Sequence, residues 1–288
     1  MVTIENDILR VAVNPKGAEL DSLFHKTNRL DYLWSGDPVW AKKSPVLFPI
    51  VGTLKDNSFF FNGRSYQLGR HGFARDRVFA VSEQSDTSVA FSLAADEVTY
   101  EQFPFDFRFS VNYSLKQNML AVTYIIENYG EGEMFFSVGG HPAFKLPLIR
   151  GAAYGDYYLE FDSVENAGRW PISPDGLLET LPVPLMNNTR RLPLSKDLFY
   201  DDALVFKHLS SSRVLLKNDS TIHGLELDFT GFPYLGIWAA KDADFVCIEP
   251  WCGIADSVDS TRQLAEKEGI QVLGMGQSFE RTWGVKIF

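Results

Sequence analysis

The stretch FRFSVNYSLK (107–116), QN (117–118), MLAVTYIIE (119–127) decides the fold. Phe107, Phe109, Val111, Tyr113 and Leu115 alternate with Arg108, Ser110, Asn112, Ser114 and Lys116, a period of two that marks a strand with one buried face. After the polar break at Gln117-Asn118, Leu120, Val122, Tyr124 and Ile126 repeat the pattern, with only Ile125 out of phase. Two alternating runs around a short polar break read as an antiparallel hairpin. A second hairpin is expected where Ser58–Phe61 turns on Asn62-Gly63 and returns through Ser65–Leu68, because Asn-Gly suits the two positive-φ positions of a type I′ turn.

Working outward, Val89-Phe91-Leu93, Tyr157-Leu159-Phe161 and Leu225-Leu227-Phe229 repeat the same period, where each pair brackets one intervening residue. Helical signals are confined to 98–103 and 261–268, each a turn or two. Closely spaced strands with few helices predict an all-β protein, a single large antiparallel β-sandwich spanning 1–288 as one domain. The segment 165–196 carries five prolines and few strand signals, so it reads as a long loop of the kind that walls a binding site.

Composition narrows the partners. The 288 residues carry a formal charge of −10, which disfavours nucleic acid, whose phosphates need clustered Lys and Arg. No apolar run approaches the length of a membrane span. Acidic residues inside the first apolar stretch argue against a secretion signal, and only Cys247 and Cys252 are present, without metal-ribbon spacing. These features place the chain in the reducing cytoplasm. Aromatic residues make up 14% of the chain, most of them expected in a β-rich core, some as flat faces for a ligand.

Ionisable residues sit beside glycine, proline or aromatic residues in four segments: GRHGFARD (69–76), GGHPAF (139–144), YDDALVF (200–206) and CIEPWCG (247–253). At strand ends, such combinations hold a side chain rigidly while backbone approaches a ligand. Of five histidines, His71 and His141 alone combine adjacent glycine with a nearby Phe; His25, His208 and His223 read as structural or exposed.

Taken in order, and preceded by LFPIVGTLKDN (47–57), these motifs resemble the galactose mutarotase, or aldose 1-epimerase, family over essentially the whole chain. The HGFAR form is similar to its shorter mutarotase-like branch and to hexose-6-phosphate epimerases. The resemblance implies a galactose mutarotase-like supersandwich with an open carbohydrate-binding cleft, and an isomerase that opens the hemiacetal ring of an aldohexose. It implies Glu249 as the base on the C1 hydroxyl, His141 as the acid on the ring oxygen, and His71 as a hydrogen-bonding group near that oxygen. Asp202, with Asp201 the alternative in register, would accept sugar hydroxyls, and Trp251 would join the substrate-binding set. No metal or organic cofactor is implied, because the chemistry is proton transfer. The chain departs from the family at Thr53, where an arginine usually reaches the substrate; Arg75 is the candidate to compensate, against a plain surface pairing with Asp76.

Two other classes stay open: a non-catalytic carbohydrate-binding sandwich, and a metal site of His71, His141 and Glu249, whose residue types suit a two-His, one-carboxylate centre. The sugar is expected to be neutral rather than phosphorylated, although Lys55, Arg64, Arg70, Arg75 and Arg77 all lie near the first motif.

Overall fold

A computed structural model describes residues 1–288 and is built almost wholly of antiparallel strands. The deciding hairpin is there: Phe107–Lys116 pairs with Met119–Asn128 through Phe107↔Asn128 to Lys116↔Met119. Its two strands are central to a nine-stranded sheet, running in order from Thr189–Pro193 through Tyr158–Glu165, Arg213–Lys217, Leu225–Asp228 and Ser278–Ile287 to the hairpin, then Ser88–Ala94 and Ala80–Gln84. Phe107, Phe109, Val111 and Tyr113 are buried while Arg108 and Ser114 are exposed, as the alternation requires. Ile125, the out-of-phase residue, lies on the outer face and is half-buried.

A second sheet of six strands carries the site. Leu204–Lys207, Tyr234–Trp238, Phe245–Cys252, Val138–Gly140 and Val46–Leu47 lie side by side, and Ala143–Lys145 also pairs with Phe245–Cys252. The Phe245–Cys252 strand is buried at every residue, which explains why its sequence shows no polar alternation. A four-stranded sheet, Val2–Glu5 to Leu30–Asp31, completes the layers. One contiguous cluster of 70 buried residues links all three sheets. Phe48 sits near its middle, with its ring centroid 4.6 Å from Phe109 and 5.1 Å from Phe107.

The Asn62-Gly63 turn has φ of 48° and 73°, the two positive values of a type I′ turn. Both short helical expectations form: Glu97–Gln102 is an α-helix closed by a reciprocal Asp96–Thr99 capping box. Within 261–268 a single 3₁₀ turn forms over Leu264–Glu266, because no apolar face four residues apart is available to bury a longer helix. The 165–196 segment is not plain loop. It forms a two-stranded ribbon, Gly168–Arg169 with Val183–Pro184, and lends Thr189–Pro193 to the edge of the large sheet, where proline is tolerated.

Candidate active site

The face of the six-stranded sheet below this ribbon is an open cleft of about 270 Å³. Along Phe245–Cys252 the period of two points Cys247, Glu249 and Trp251 to one side. Gly236, on the neighbouring strand, stands opposite Glu249. A side chain there would occupy the place of an indole: a Cβ on Gly236 would lie 2.4 Å from two ring atoms of Trp251. Glycine thus lets Trp251 lie flat on the sheet as part of the cleft floor.

On the other side of the same strand the pairs Gly139↔Trp251 and Ala143↔Cys247 share one register, with the ladder to this strand broken at 140–142. Continuing that register places His141 directly across from Glu249. Their side chains meet, with His141 Nε2 3.3 Å from Glu249 Oε2. Both are almost completely buried, and neither His141 Nδ1 nor Glu249 Oε2 has a hydrogen-bond partner in the protein. The His141 ring is held by Trp40, stacked at 5.1 Å and 29°, and by Trp238, edge-on at 5.6 Å.

His71 arrives from the first motif, 69–76. It sits at φ 67°, followed by Gly72 at 69°, where a Cβ would collide with the Phe48 carbonyl oxygen at 2.3 Å. This tight turn brings the His71 ring edge-on to His141, centroids 5.7 Å apart. The Gly52 N–H donates to His71 Nδ1 at 3.1 Å, and the His71 N–H donates to the Gly52 carbonyl at 2.8 Å. With Nδ1 accepting, neutral His71 carries its proton on Nε2.

Electrostatics follow from burial. Desolvation holds the His71 imidazole well below its ordinary range, with His141, Arg70 and Arg75 adding to the effect. The same cause lowers His141 to about 3 and raises Glu249 well above the carboxylate range. Arg70 and the Trp251 N–H pull Glu249 back down, and Asp202 pushes it up. Burial thus favours the neutral form of both His141 and Glu249.

Asp202, not Asp201, faces the cleft. Asp202 has φ 91°, and its Oδ1 accepts from the Ala203 N–H at 2.7 Å and lies 3.5 Å from Arg70 Nη2. A non-glycine residue held at such an angle is a strained position of the kind found at functional sites. Arg75 also lines the cleft, but its guanidinium is engaged, donating to the Arg70 carbonyl at 3.0 Å and lying 3.7 Å from Asp76. The pairing with Asp76 and the place in the cleft wall thus coexist. Thr53 is buried under Gly176, and the Arg70 guanidinium reaches the same spot: a Cβ on Gly176 would lie 2.7 Å from Thr53 Oγ1 and 3.7 Å from Arg70 Nη1. Arg70 brings a cation beside the residue that stands for the family's arginine.

The remaining basic residues near the first motif are elsewhere. Lys55 Nζ donates to the Val258 carbonyl, Arg77 pairs with Asp96, and Arg64 lines a separate groove. His25, His208 and His223 are all outside the cleft. Sequence reasoning missed Trp40 and Trp238, whose only signal was their residue type, while the 165–196 segment does wall the cleft, through Ile172 and Leu178. The groups that offer ligand atoms to one metal ion differ from the trio of the alternative metal reading: His141, Cys247 and Glu249 have theirs all within 4.8 Å of one another, while His71 commits Nδ1 to Gly52.

The antiparallel layers and the open, aromatic-floored cleft define a β-sandwich protein of the galactose mutarotase-like class. Residues 1–263 match the Aldose 1-epimerase family, and the chain belongs to it. It is 34% identical to a galactose mutarotase related enzyme from Lactobacillus acidophilus, covering 100% of this chain and 97% of that one with a TM-score of 0.95. A galactose mutarotase-like protein from Lactobacillus casei superimposes with a TM-score of 0.93 at 30% identity, both chains covered in full. The chromosomal protein LacX of Lactococcus lactis is 32% identical over 276 residues, 92% of each chain. No helix is long and apolar enough to cross a membrane.

Proposed function

We propose that this protein is an aldose 1-epimerase, a single-domain cytoplasmic isomerase that interconverts the α and β anomers of a neutral aldohexose. The observation that carries the reading is the buried His141–Glu249 pair at 3.3 Å on the cleft floor. Ring opening needs a base at the C1 hydroxyl and an acid at the ring oxygen. Glu249 takes the hydroxyl proton as the C1–O ring bond breaks and the C1 carbonyl forms, while His141 delivers a proton to the departing ring oxygen. Rotation about C1–C2 presents the other carbonyl face, and the two transfers reverse. Nothing is consumed, and the pair ends with the proton count it began with.

The ionised pair needed for this step is opposed by burial. Sugar hydroxyls supply hydrogen bonds that favour it in the complex, and the Arg70 cation favours the Glu249 carboxylate while opposing charge on His141. The proton on His71 Nε2 serves as a fixed donor near the ring oxygen. Asp202 accepts from adjacent hydroxyls, Arg70 donates to them where the family's arginine is missing, and Arg75 lines the wall. Trp251 offers the flat face on which a pyranose ring stacks. Acceleration of anomer exchange in freshly dissolved sugar, followed by polarimetry, tests the reading.

One observation favours a second reading, a hexose 6-phosphate as substrate. Two guanidiniums, Arg70 and Arg75, reach the cleft, where the sequence pointed to Arg75 alone. The neutral sugar is retained because Arg70 faces Asp202 and Arg75 is held by Asp76 and the Arg70 carbonyl.

A further inference from the structure

Cys247 is fully buried, belongs to the same strand face as Glu249, and has no part in the proton transfers proposed above. Its neighbours make it more than a core thiol. Cys247, His141 and Glu249 present one sulfur, one nitrogen and one oxygen within 4.8 Å of one another. Glu249 Oε2, the oxygen that faces His141, lacks a hydrogen-bond partner in the protein, an unusual state for a buried polar atom. In tetrahedral zinc sites the metal–nitrogen and metal–oxygen bonds are about 2.0–2.2 Å, which places those two ligand atoms about 3.3–3.6 Å apart. The His141 Nε2 to Glu249 Oε2 distance is 3.3 Å.

We infer that His141, Cys247 and Glu249 form an inhibitory site for a borderline-soft divalent cation, zinc above all, with its fourth position open to the cleft. One thiolate, one imidazole and one carboxylate select zinc over magnesium or calcium, which prefer all-oxygen sets. Three protein ligands with an open position is the coordination of ions that keep a water or take a substrate oxygen. Binding forms the sulfur–metal and oxygen–metal bonds, breaks the Cys247 S–H bond and the Glu249 carboxyl O–H bond, and releases both protons to solvent, with no change of oxidation state. The register that sets His141 across from Glu249 also sets Ala143 across from Cys247, so one strand pairing builds the acid–base pair and the trap together. A bound ion takes up both groups of that pair and stops turnover.

The test uses the full chain with thiols kept reduced, titrated with cobalt chloride and zinc chloride, with magnesium chloride as control. Ion binding is read directly, so failure of the site is distinguishable from failure of the epimerase reading. One equivalent of cobalt should produce the near-ultraviolet charge-transfer absorption of a thiolate–cobalt bond, and zinc should displace it. Cys252→Ser should keep the band, which assigns the thiolate to Cys247 even if Cys247 variants fold poorly. Cys247→Ser should lose the band and weaken zinc binding more than about 100-fold, since even outer-shell partners of metal ligands contribute about 10–100-fold. It should also keep basal turnover while escaping zinc inhibition. No zinc binding, binding without a thiolate band, or equal zinc affinity in Cys247→Ser would each overturn the site.

Discussion

His141, in the gap between Val138–Gly140 and Ala143–Lys145, faces Glu249 on the strand that both segments pair with, and the two buried side chains meet at 3.3 Å. Two backbone segments far apart in sequence thus set one functional distance, and the sheet supplies the rigidity that a loop would lack. Tryptophans on two sides keep the imidazole from rotating away.

His141→Asn should lower kcat far more than it raises KM, because protonation of the ring oxygen matters in the transition state. His71→Asn should affect both, since His71 positions as well as donates. Steady-state kinetics on the two variants separates the roles, with His25→Asn, His208→Asn and His223→Asn as near-normal controls. Equal, mild effects within about twofold for His141 and His71 would remove the acid assignment.

Gly236→Ala should push the Trp251 indole off the cleft floor, because the new methyl would lie 2.4 Å from the ring. Overpacking of this kind costs about 1–3 kcal/mol in stability. Sugar affinity should fall with it, and tryptophan fluorescence should shift. Unchanged affinity would show that the flat indole is not a binding surface.

Lys267 and Asp256 form a nearly solvent-free ion pair at 2.8 Å, each side chain 3% exposed. Asp256 also accepts from the Lys55 N–H at 3.0 Å, and its own N–H donates to the Thr53 carbonyl at 2.9 Å, tying down the loop that carries Gly52. Lys267→Met leaves a buried carboxylate unpaired and should cost about 3–5 kcal/mol in denaturant unfolding. The double variant Lys267→Met/Asp256→Asn should recover most of that loss. A single variant as stable as the native protein contradicts this assignment.

For substrate class, kcat/KM should be greater for glucose or galactose than for glucose 6-phosphate. A preference for the phosphosugar above about tenfold, roughly 1.4 kcal/mol in transition-state binding, would reverse the assignment and make Arg70 and Arg75 its ligands.

The strands that alternate were readable because one face is wet: Phe107–Lys116 announces itself residue by residue. The strand that carries Glu249 was readable only by its motif, since burial on both faces erases the period. His71, His141, Asp202, Arg75, Trp251 and Glu249 do converge on one cleft. What could not be read was the third dimension of the same residues. No spacing reveals that Trp40 stacks on His141, that Arg70 reaches Thr53, or that His141 loses its ordinary titration by burial. The helical signal at 261–268 stops at one 3₁₀ turn for a related reason: polar residues with local propensity extend no helix without a face to bury.

The most direct test of the account is anomer exchange itself, measured by polarimetry on freshly dissolved α-glucose and α-galactose with native protein and Glu249→Gln side by side. The native protein should accelerate the approach to equilibrium well above buffer. Glu249→Gln should lose about 10²–10⁴ of that rate while a binding titration shows sugar affinity largely intact, because glutamine keeps the shape but cannot accept the C1 proton. A native protein no faster than buffer, or a glutamine variant that keeps most of its rate, would contradict the central claim.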